Sequence, residues 1–348
     1  DNRFINISRL ERKILHGNSF VGLTSTVANI EDSLIKTFSL DGVLNYFDNR
    51  FSIDGQLLLS DNSFNQGKGI SIESDYSLAH LKYFFDFEYF DKNLDIDELG
   101  YLHRNNLKKI THGLIFRDLD PSPSIRSKSI TILNNYQENM DAIRLKNDLI
   151  IKGHLSLMNN LNFEMGVIYS ETYFDDYLTY DFEIDEFGPI IPIPSSENYY
   201  FKFNTNPLNK LSLKSEYHFS IRDVYAWDFT DRNNEYFIEF IFKPFYFITS
   251  KINYHRFNIN ESLYFLETID DEEEEEDNDT HYIFSKRMGN TDILSFRLDG
   301  SLNTKISLQL YSELYRNNYS FDDYRVLHGS DIANNQGTPS SDDIFFNG

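Results

Sequence analysis

Three groups of residues in this chain have types and spacings that could do chemistry. The run TIDDEEEEEDNDT at 268–280 carries nine carboxylates. Carboxylate oxygens are hard ligands suited to calcium, but a calcium loop spaces them around a sharp glycine turn. This run has no such glycine, and its five consecutive glutamates repel one another. A solvated surface loop that at most bridges loosely through cations is the expectation for 270–279. The segment GPIIPIP at 188–194 is apolar and stiffened by three prolines. It could fold inward as a constriction or plug, dock a partner, or form a rigid loop packed on its neighbours' rims. Among the nine histidines, His112, His218 and His255 fall within alternating stretches. None has a metal-ligand partner at i+2 or i+4. No local nucleophile motif is present. The sequence therefore assigns no catalytic, cofactor-binding or metal-binding residue, predicts no cofactor, and leaves the ligand open.

The elements that must position these residues are strands. In DILSFRLDGSLNTKISLQLYSELY (292–315), Leu294, Phe296, Leu298, Leu302, Ile306, Leu308, Leu310 and Leu314 alternate with Ser295, Arg297, Asp299, Ser307, Gln309 and Glu313. A period of two places the two sets on opposite faces of an extended chain. The same alternation predicts sixteen strands, at about 4–14, 19–29, 34–47, 51–60, 70–76, 80–89, 107–117, 126–136, 142–157, 161–171, 197–205, 211–221, 235–243, 246–257, 292–302 and 306–316. Many reach the nine to eleven residues that a tilted membrane-spanning strand needs, against five or six in soluble sheets. No amphipathic helix is predicted.

The connections alternate in length. Tight turns are predicted near 15–18, 48–50, 77–79, 158–160, 206–210, 244–245 and 303–305, with 118–125 a longer member of that set. Longer links fall at 61–69, 90–106, 172–196, 222–234 and 258–291. Short turns on one rim and long loops on the other is the plan of an outer-membrane barrel. Aromatic residues beside the turns, such as Tyr46, Phe47, Phe245, Tyr246 and Phe247, suit a lipid–water boundary. In the facing strands, a three-residue connection at 303–305 predicts Leu302 opposite Ile306, Leu298 opposite Leu310 and Leu294 opposite Leu314.

Composition bounds the rest. The chain has 348 residues, a net charge of −23 and no cysteine. The acidic balance argues against nucleic-acid binding, and the absence of cysteine excludes a disulfide framework. Mean hydropathy is −0.47, which an alternating barrel tolerates because its strands average out as polar. The chain opens DNRFINISRL, without the apolar core of a signal peptide. The 317–348 tail shows no alternation.

The segments LGYLHRNNLKKITHGLIFR (99–117), FGPIIPIPSSENYYFKFNTNPLNKLSLKSEYHFS (187–220) and THYIFSKRMGNTDILSFRLDGSLNTKISLQLYSELYRNNYSFDDYRVL (280–327) resemble an outer-membrane β-barrel family of unknown function. In that family the barrel follows an N-terminal module similar to the carbohydrate-binding domains of secreted hydrolases. The resemblance covers the barrel part alone. It implies a fragment, with further strands expected after the YSFDDYRVL segment and the edges 4–14 and 306–316 left bare. It brings no catalytic residues.

The expectation is an all-β, antiparallel up-and-down transmembrane β-barrel over 1–316, with 317–348 an extracellular loop or unpaired tail. It would be non-enzymatic and sit in the outer membrane of a Gram-negative bacterium. It would serve as a pore or as the anchor of a surface binding protein related to glycans. Its partners would be outer-membrane lipid, lipopolysaccharide, and other surface proteins or glycans. A barrel-borne hydrolase and a soluble all-β adhesin-like protein are the alternatives.

Overall fold

A computed structural model of the chain describes residues 4–15, 18–30, 33–62, 65–96, 102, 104–181, 186–187, 189–224, 229–270, 280–303 and 305–328. The acidic stretch 271–279 and the tail 329–348 lie outside the described residues. Sixteen strands form one antiparallel sheet in strictly sequential order. They are β1 (Phe4–Ile14), β2 (Ser19–Ile30), β3 (Ser33–Tyr46), β4 (Phe51–Asp61), β5 (Gln66–Ser77), β6 (Leu81–Phe90), β7 (Leu107–Asp118), β8 (Ile125–Glu138), β9 (Arg144–Leu157), β10 (Asn162–Ser170), β15 (Ser196–Asn204), β16 (Leu211–Val224), β17 (Phe229–Phe245), β18 (Ile248–Asp270), β19 (Thr280–Asn303) and β20 (Ile306–His328). Four short strands sit between β10 and β15: β11 (Tyr173–Asp175), β12 (Tyr180–Asp181), β13 (Glu186–Phe187) and β14 (Ile191–Ile193). Among the described residues the strand order begins with β1 and ends with β20. The chain divides into two compact units, residues 1–118 with 131–149, and residues 119–130 with 150–348.

In the first unit the register carries apolar rows from strand to strand. Leu10 faces Leu23, Leu23 faces Leu40, Leu40 faces Leu57, and Leu57 faces Ile70. These leucines are exposed, Leu10 at 72%. Nearer the tight turns runs an aromatic row, Tyr46, Phe51, Tyr76 and Tyr83, each facing the next. On the same face, Lys36 opposite Asp61 ends the apolar stretch on the long-loop side.

The second unit repeats the plan. Its apolar face holds the facing pairs Phe240 and Ile252, Tyr254 and Leu294, and Leu294 and Leu314. The next row toward the long loops is charged, with Arg256 opposite Asp292 and Asp292 opposite Arg316. From the turn at Tyr246–Phe247 to that row the apolar face of β16–β20 carries no charged side chain. Tyr246 is 99% exposed at the turn, with the Phe245 and Phe247 rings stacked 5.5 Å apart beside it. The opposite face of the sheet is polar, and its Ser212 and Ser295 are buried while leucines across the sheet stay exposed. This is the reverse of a soluble sheet, which buries its apolar face.

Turn and loop alternation holds in each unit, with departures at strand ends. Leu298 faces Leu310 and Leu294 faces Leu314 as expected, but Ile306 faces Asn303, because the register shifts between Ser301 and Asn303. The Asn303 side chain accepts the amides of Lys305 and Ile306, at 2.8 and 3.0 Å, and tightens the turn. The turn expected at 244–245 falls at 246–247, since β17 continues to Phe245 with a register shift after Phe242. Pro244, which lacks a ladder donor, lies in that irregularity. The links expected at 61–69, 222–234 and 258–291 shorten because their flanking strands run on, and β20 passes Arg316 to His328.

The proline-rich segment packs against neighbouring strand ends. β11 pairs with β14, placing Pro192 opposite Phe174. The Asp175 carboxylate accepts the amides of Tyr177 and Leu178, and Thr179 Oγ1 donates to the Pro189 carbonyl at 2.8 Å. Ile191, Ile193, Val224 of β16 and Phe284 of β19 form a buried apolar core, with Tyr173, Leu178, Leu263, Phe265 and Tyr282 around it.

In the first unit, residues 91–96 fold back on β5. The Asp91 amide donates to the Lys68 carbonyl at 3.1 Å, and Leu94 is 1% exposed. A Cβ at Gly67 would run into the backbone of Asn93 and Leu94. Gly67→Ala should destabilise this packing by about 1–3 kcal/mol. Hydrogen exchange should quicken at the Asp91 and Leu94 amides and stay unchanged at Arg50, across the strand ends.

Candidate functional site

The ionisable side chains gather on the polar face because the period of two puts every second residue there. In the first unit Arg9 of β1 reaches across β2 and donates to both oxygens of Asp41 on β3, at 3.0 and 2.8 Å. Further along, Asp54 of β4 faces Glu73 of β5, and Glu73 faces Asp86 of β6. Lys109 of β7 donates to Glu88 at 2.8 Å and stands 3.5 Å from Asp86. Like charges directly opposite destabilise a sheet. Lys109 offsets part of that repulsion at the Asp86 end of the row.

In the second unit the polar face of β10 and β15–β18 brings charged and aromatic groups together. Glu216 of β16 is held by Lys214 at 2.7 Å and by Lys202 of β15 at 3.2 Å, with His218 at 3.6 Å. Tyr200 stacks on His218 with ring centroids 5.8 Å apart. It lies over Gly166 of β10, where a Cβ would come within 2.6 Å of the ring. Glycine is therefore the residue that leaves the slot for the ring. His218 faces Glu235 of β17, and His255 of β18 hydrogen-bonds that same carboxylate at 2.6 Å. A cavity of about 200 Å³ opens here, with Asn198, Tyr200, His218, Ser220, Asn233 and Glu235 in its wall.

The structure thus joins two of the three histidines singled out from the sequence, through Glu235. The third, His112, is exposed on the apolar face of the first unit opposite Phe85. Each of these imidazoles lies beside a carboxylate, His218 at 3.6 Å from Glu216 and His255 at 2.6 Å from Glu235. No set of three metal-ligating side chains converges among the described residues. What the arrangement offers is a flat ring surface bordered by amides, a hydroxyl and fixed charges. The sequence held a partial signal for it. Lys214, Glu216 and His218 recur at i+2 on one strand, but Lys202, Glu235 and Tyr200 come from other strands and join only through register.

At the end of β17 away from its tight turn lies Asp231, 5% exposed. Burial pushes its carboxyl up to about 6 against the pull of Arg222, Ser262, Asn233 and Arg287. Arg222 is its facing residue, and the Arg287 guanidinium lies over the rings of Tyr264 and Tyr319, at 4.3 and 5.0 Å.

A sequential antiparallel sheet with exposed apolar rows on one face and ionisable groups on the other defines an all-β, up-and-down strand protein of inverted polarity. The chain belongs to the family described as Domain of unknown function (DUF5916), whose model matches residues 5–347. No curated protein matches it. Among solved structures it is similar to OmpT, an outer membrane protein of Vibrio cholerae, in its trimer form. That likeness has 9% identity and a TM-score of 0.35, covering 94% of this chain and 100% of that one. It is also similar to the outer membrane protein OprD from Pseudomonas aeruginosa, with 7% identity and a TM-score of 0.33, covering 92% of each chain.

Because the folded Asp231 carboxyl binds its proton more tightly than an unfolded one, the folded state holds more protons between about pH 4 and 6. Stability at this end of β17 should fall as pH rises through that window, by at most about 3 kcal/mol. Asp231→Asn should flatten the dependence. Thermal unfolding in detergent between pH 4 and 7 measures both.

Proposed function

We propose that this chain is an outer-membrane β-barrel of a Gram-negative bacterium, working as a pore whose polar face lines an aqueous path. The observation that carries this reading is the charge-free band on the apolar face. In the second unit it runs from the aromatic turn at Tyr246–Phe247 to the row of Arg256, Asp292 and Arg316. That is roughly the number of residues a tilted strand uses to cross hydrocarbon, and aromatic residues border such bands at the lipid–water interface. A lipid-facing band leaves the opposite face as the lumen side, where facing carboxylates are tolerable. Outer-membrane lipid and lipopolysaccharide are then the immediate surroundings.

A second role, as anchor of a surface binding protein, is favoured by the outgrowth on the long-loop side. β18, β19 and β20 run 23, 24 and 23 residues, well beyond a membrane crossing, and Ile191 and Ile193 build a core there with Phe284. Other surface proteins or glycans are the partners this outgrowth would meet.

Leu40 sits mid-row on the apolar face, and its neighbour Ser39 points to the polar face opposite Thr24. Leu40→Arg should cost about 2–4 kcal/mol of stability in lipid, and Ser39→Arg far less. Equal effects, measured by denaturant unfolding in bilayers, would refute a lipid-facing band. In planar bilayers the protein should conduct with a preference for cations, because carboxylates dominate the Asp54–Glu73–Asp86 row. Glu73→Gln combined with Asp54→Asn should shift the reversal potential toward zero. A conductance without ion preference in both proteins would remove the role of that row.

A further inference from the structure

The loop-side margin of the apolar face in the second unit is built in ordered rows. Tyr254, Leu294 and Leu314 face one another in the last apolar row. The next row is Tyr236, Arg256, Asp292 and Arg316, each facing the one before. The row beyond is Asn234, Asn258, Asn290 and Asn318, in register across β17 to β20. Asparagine is depleted in strands, so this row points to a use beyond pairing. The two polar rows are tied together. Arg256 Nε donates to Asn258 Oδ1 at 2.7 Å, and Asn258 Nδ2 donates to Asn234 Oδ1 at 2.7 Å. The Tyr254 hydroxyl donates to Asp292 at 2.7 Å, and Arg256 stands 3.6 Å from the same carboxylate. Asp292 is the more recessed partner, its side chain 23% exposed against 40% for Arg256. Arg316 is exposed. The row thus presents two cations to one acid, on a chain whose net charge is −23. In the first unit, taken by itself, Lys36, Lys68 and Lys108 stand at the loop-side margin of its apolar face.

We propose that Arg256, Arg316 and the asparagine row form a binding site for a phosphorylated, acylated sugar in the leaflet on the long-loop side, the chemistry of the lipid A part of lipopolysaccharide. A guanidinium presents paired donors that match phosphate oxygens. A side-chain amide both donates and accepts, which suits sugar hydroxyls and acyl amides. Neighbouring strands hold these groups about 4.8 Å apart, and successive rows lie roughly 7 Å apart along each strand. The order along the strands matches the amphiphile, because acyl chains would lie on the row of Leu294 and Leu314 while the phosphorylated sugar that carries them meets the two polar rows. A phospholipid would use the arginines and leave the asparagines idle. This inference rests on the reading of the apolar face as lipid-facing, with the long-loop side outward.

The test titrates the full chain in detergent with purified lipid A, with lipid A stripped of its phosphates, and with phosphatidylglycerol, counting bound lipid by native mass spectrometry. The parent should hold lipid A at least about tenfold more tightly than the stripped form. Arg256→Gln combined with Arg316→Gln should lose that factor, and stripping the ligand should then cost nothing further, because both changes remove one interaction. Arg297→Gln, on the polar face opposite Lys251, should match the parent. Asn290→Ala combined with Asn318→Ala should weaken lipid A at least about threefold and leave phosphatidylglycerol unchanged. Equal binding of intact and stripped lipid A by the parent would overturn the phosphate site, and this arm depends on no variant folding. Phosphatidylglycerol held as tightly as lipid A would overturn the sugar assignment. A loss in Arg297→Gln equal to that of the paired arginine variant would overturn the placement on the apolar face. Flotation with phosphatidylcholine vesicles separates the two readings. A parent that does not insert would reject the lipid-facing band and this site with it, whereas insertion without a lipid A preference would reject the site alone.

Discussion

The structure depends on the antiparallel ladder keeping one parity across each pair of strands. Side chains alternate with a period of two, so a slip of one residue would exchange the faces of a whole strand. In the first unit the registers run without a shift from β1 to β7, and the rows from Leu10 to Ile70 stay aligned as a result. In the second unit the shifts fall after Phe242 and Ser301 near the turns and after Ile259, Phe265 and Phe284 in the loop-side halves of the long strands. The turn-side halves of β18, β19 and β20 are therefore the part where polarity is strictly sorted.

The loop-side shifts have a structural use. Beyond Ile259 the extra residue changes which side chains share a face, and the regular sorting into apolar and polar faces ends there. Apolar residues such as Leu263, Phe265 and Phe284 can then meet Ile191 and Ile193 in a core of ordinary kind. One chain thus uses two packing regimes. Its central strand segments expose leucine and bury serine, and its loop-side extension buries isoleucine and phenylalanine.

The central strands were legible in the sequence because alternation is a local signal. Leu294, Leu298, Leu310 and Leu314 declare their pairing by parity alone, and the structure agrees. The extensions were not legible, because bulges break the alternation in the stretch from Asn260 to Asp270, and β18 reads there as a loop. Pro244 and Asn303 displaced two turns by chemistry that period-two reading does not weigh. His218 and His255 stood out by type, but Glu216 and Tyr200 gain meaning only from partners on other strands. Gly166 would have been a usable clue, since a lone glycine inside an alternating strand signals a close approach from across the sheet.

The sequential strand order also bears on how the molecule comes to be. Most pairings of the sheet join strands linked by a turn or a short loop, so loop-closure entropy is incurred in small increments, and the sheet can grow by adding hairpins to an edge already formed. The longest connection joins β10 to β15 and must span 171–195 before Ser170 can face Ser196. A chain delayed at that step would display two well-formed blocks of hairpins with an unjoined seam.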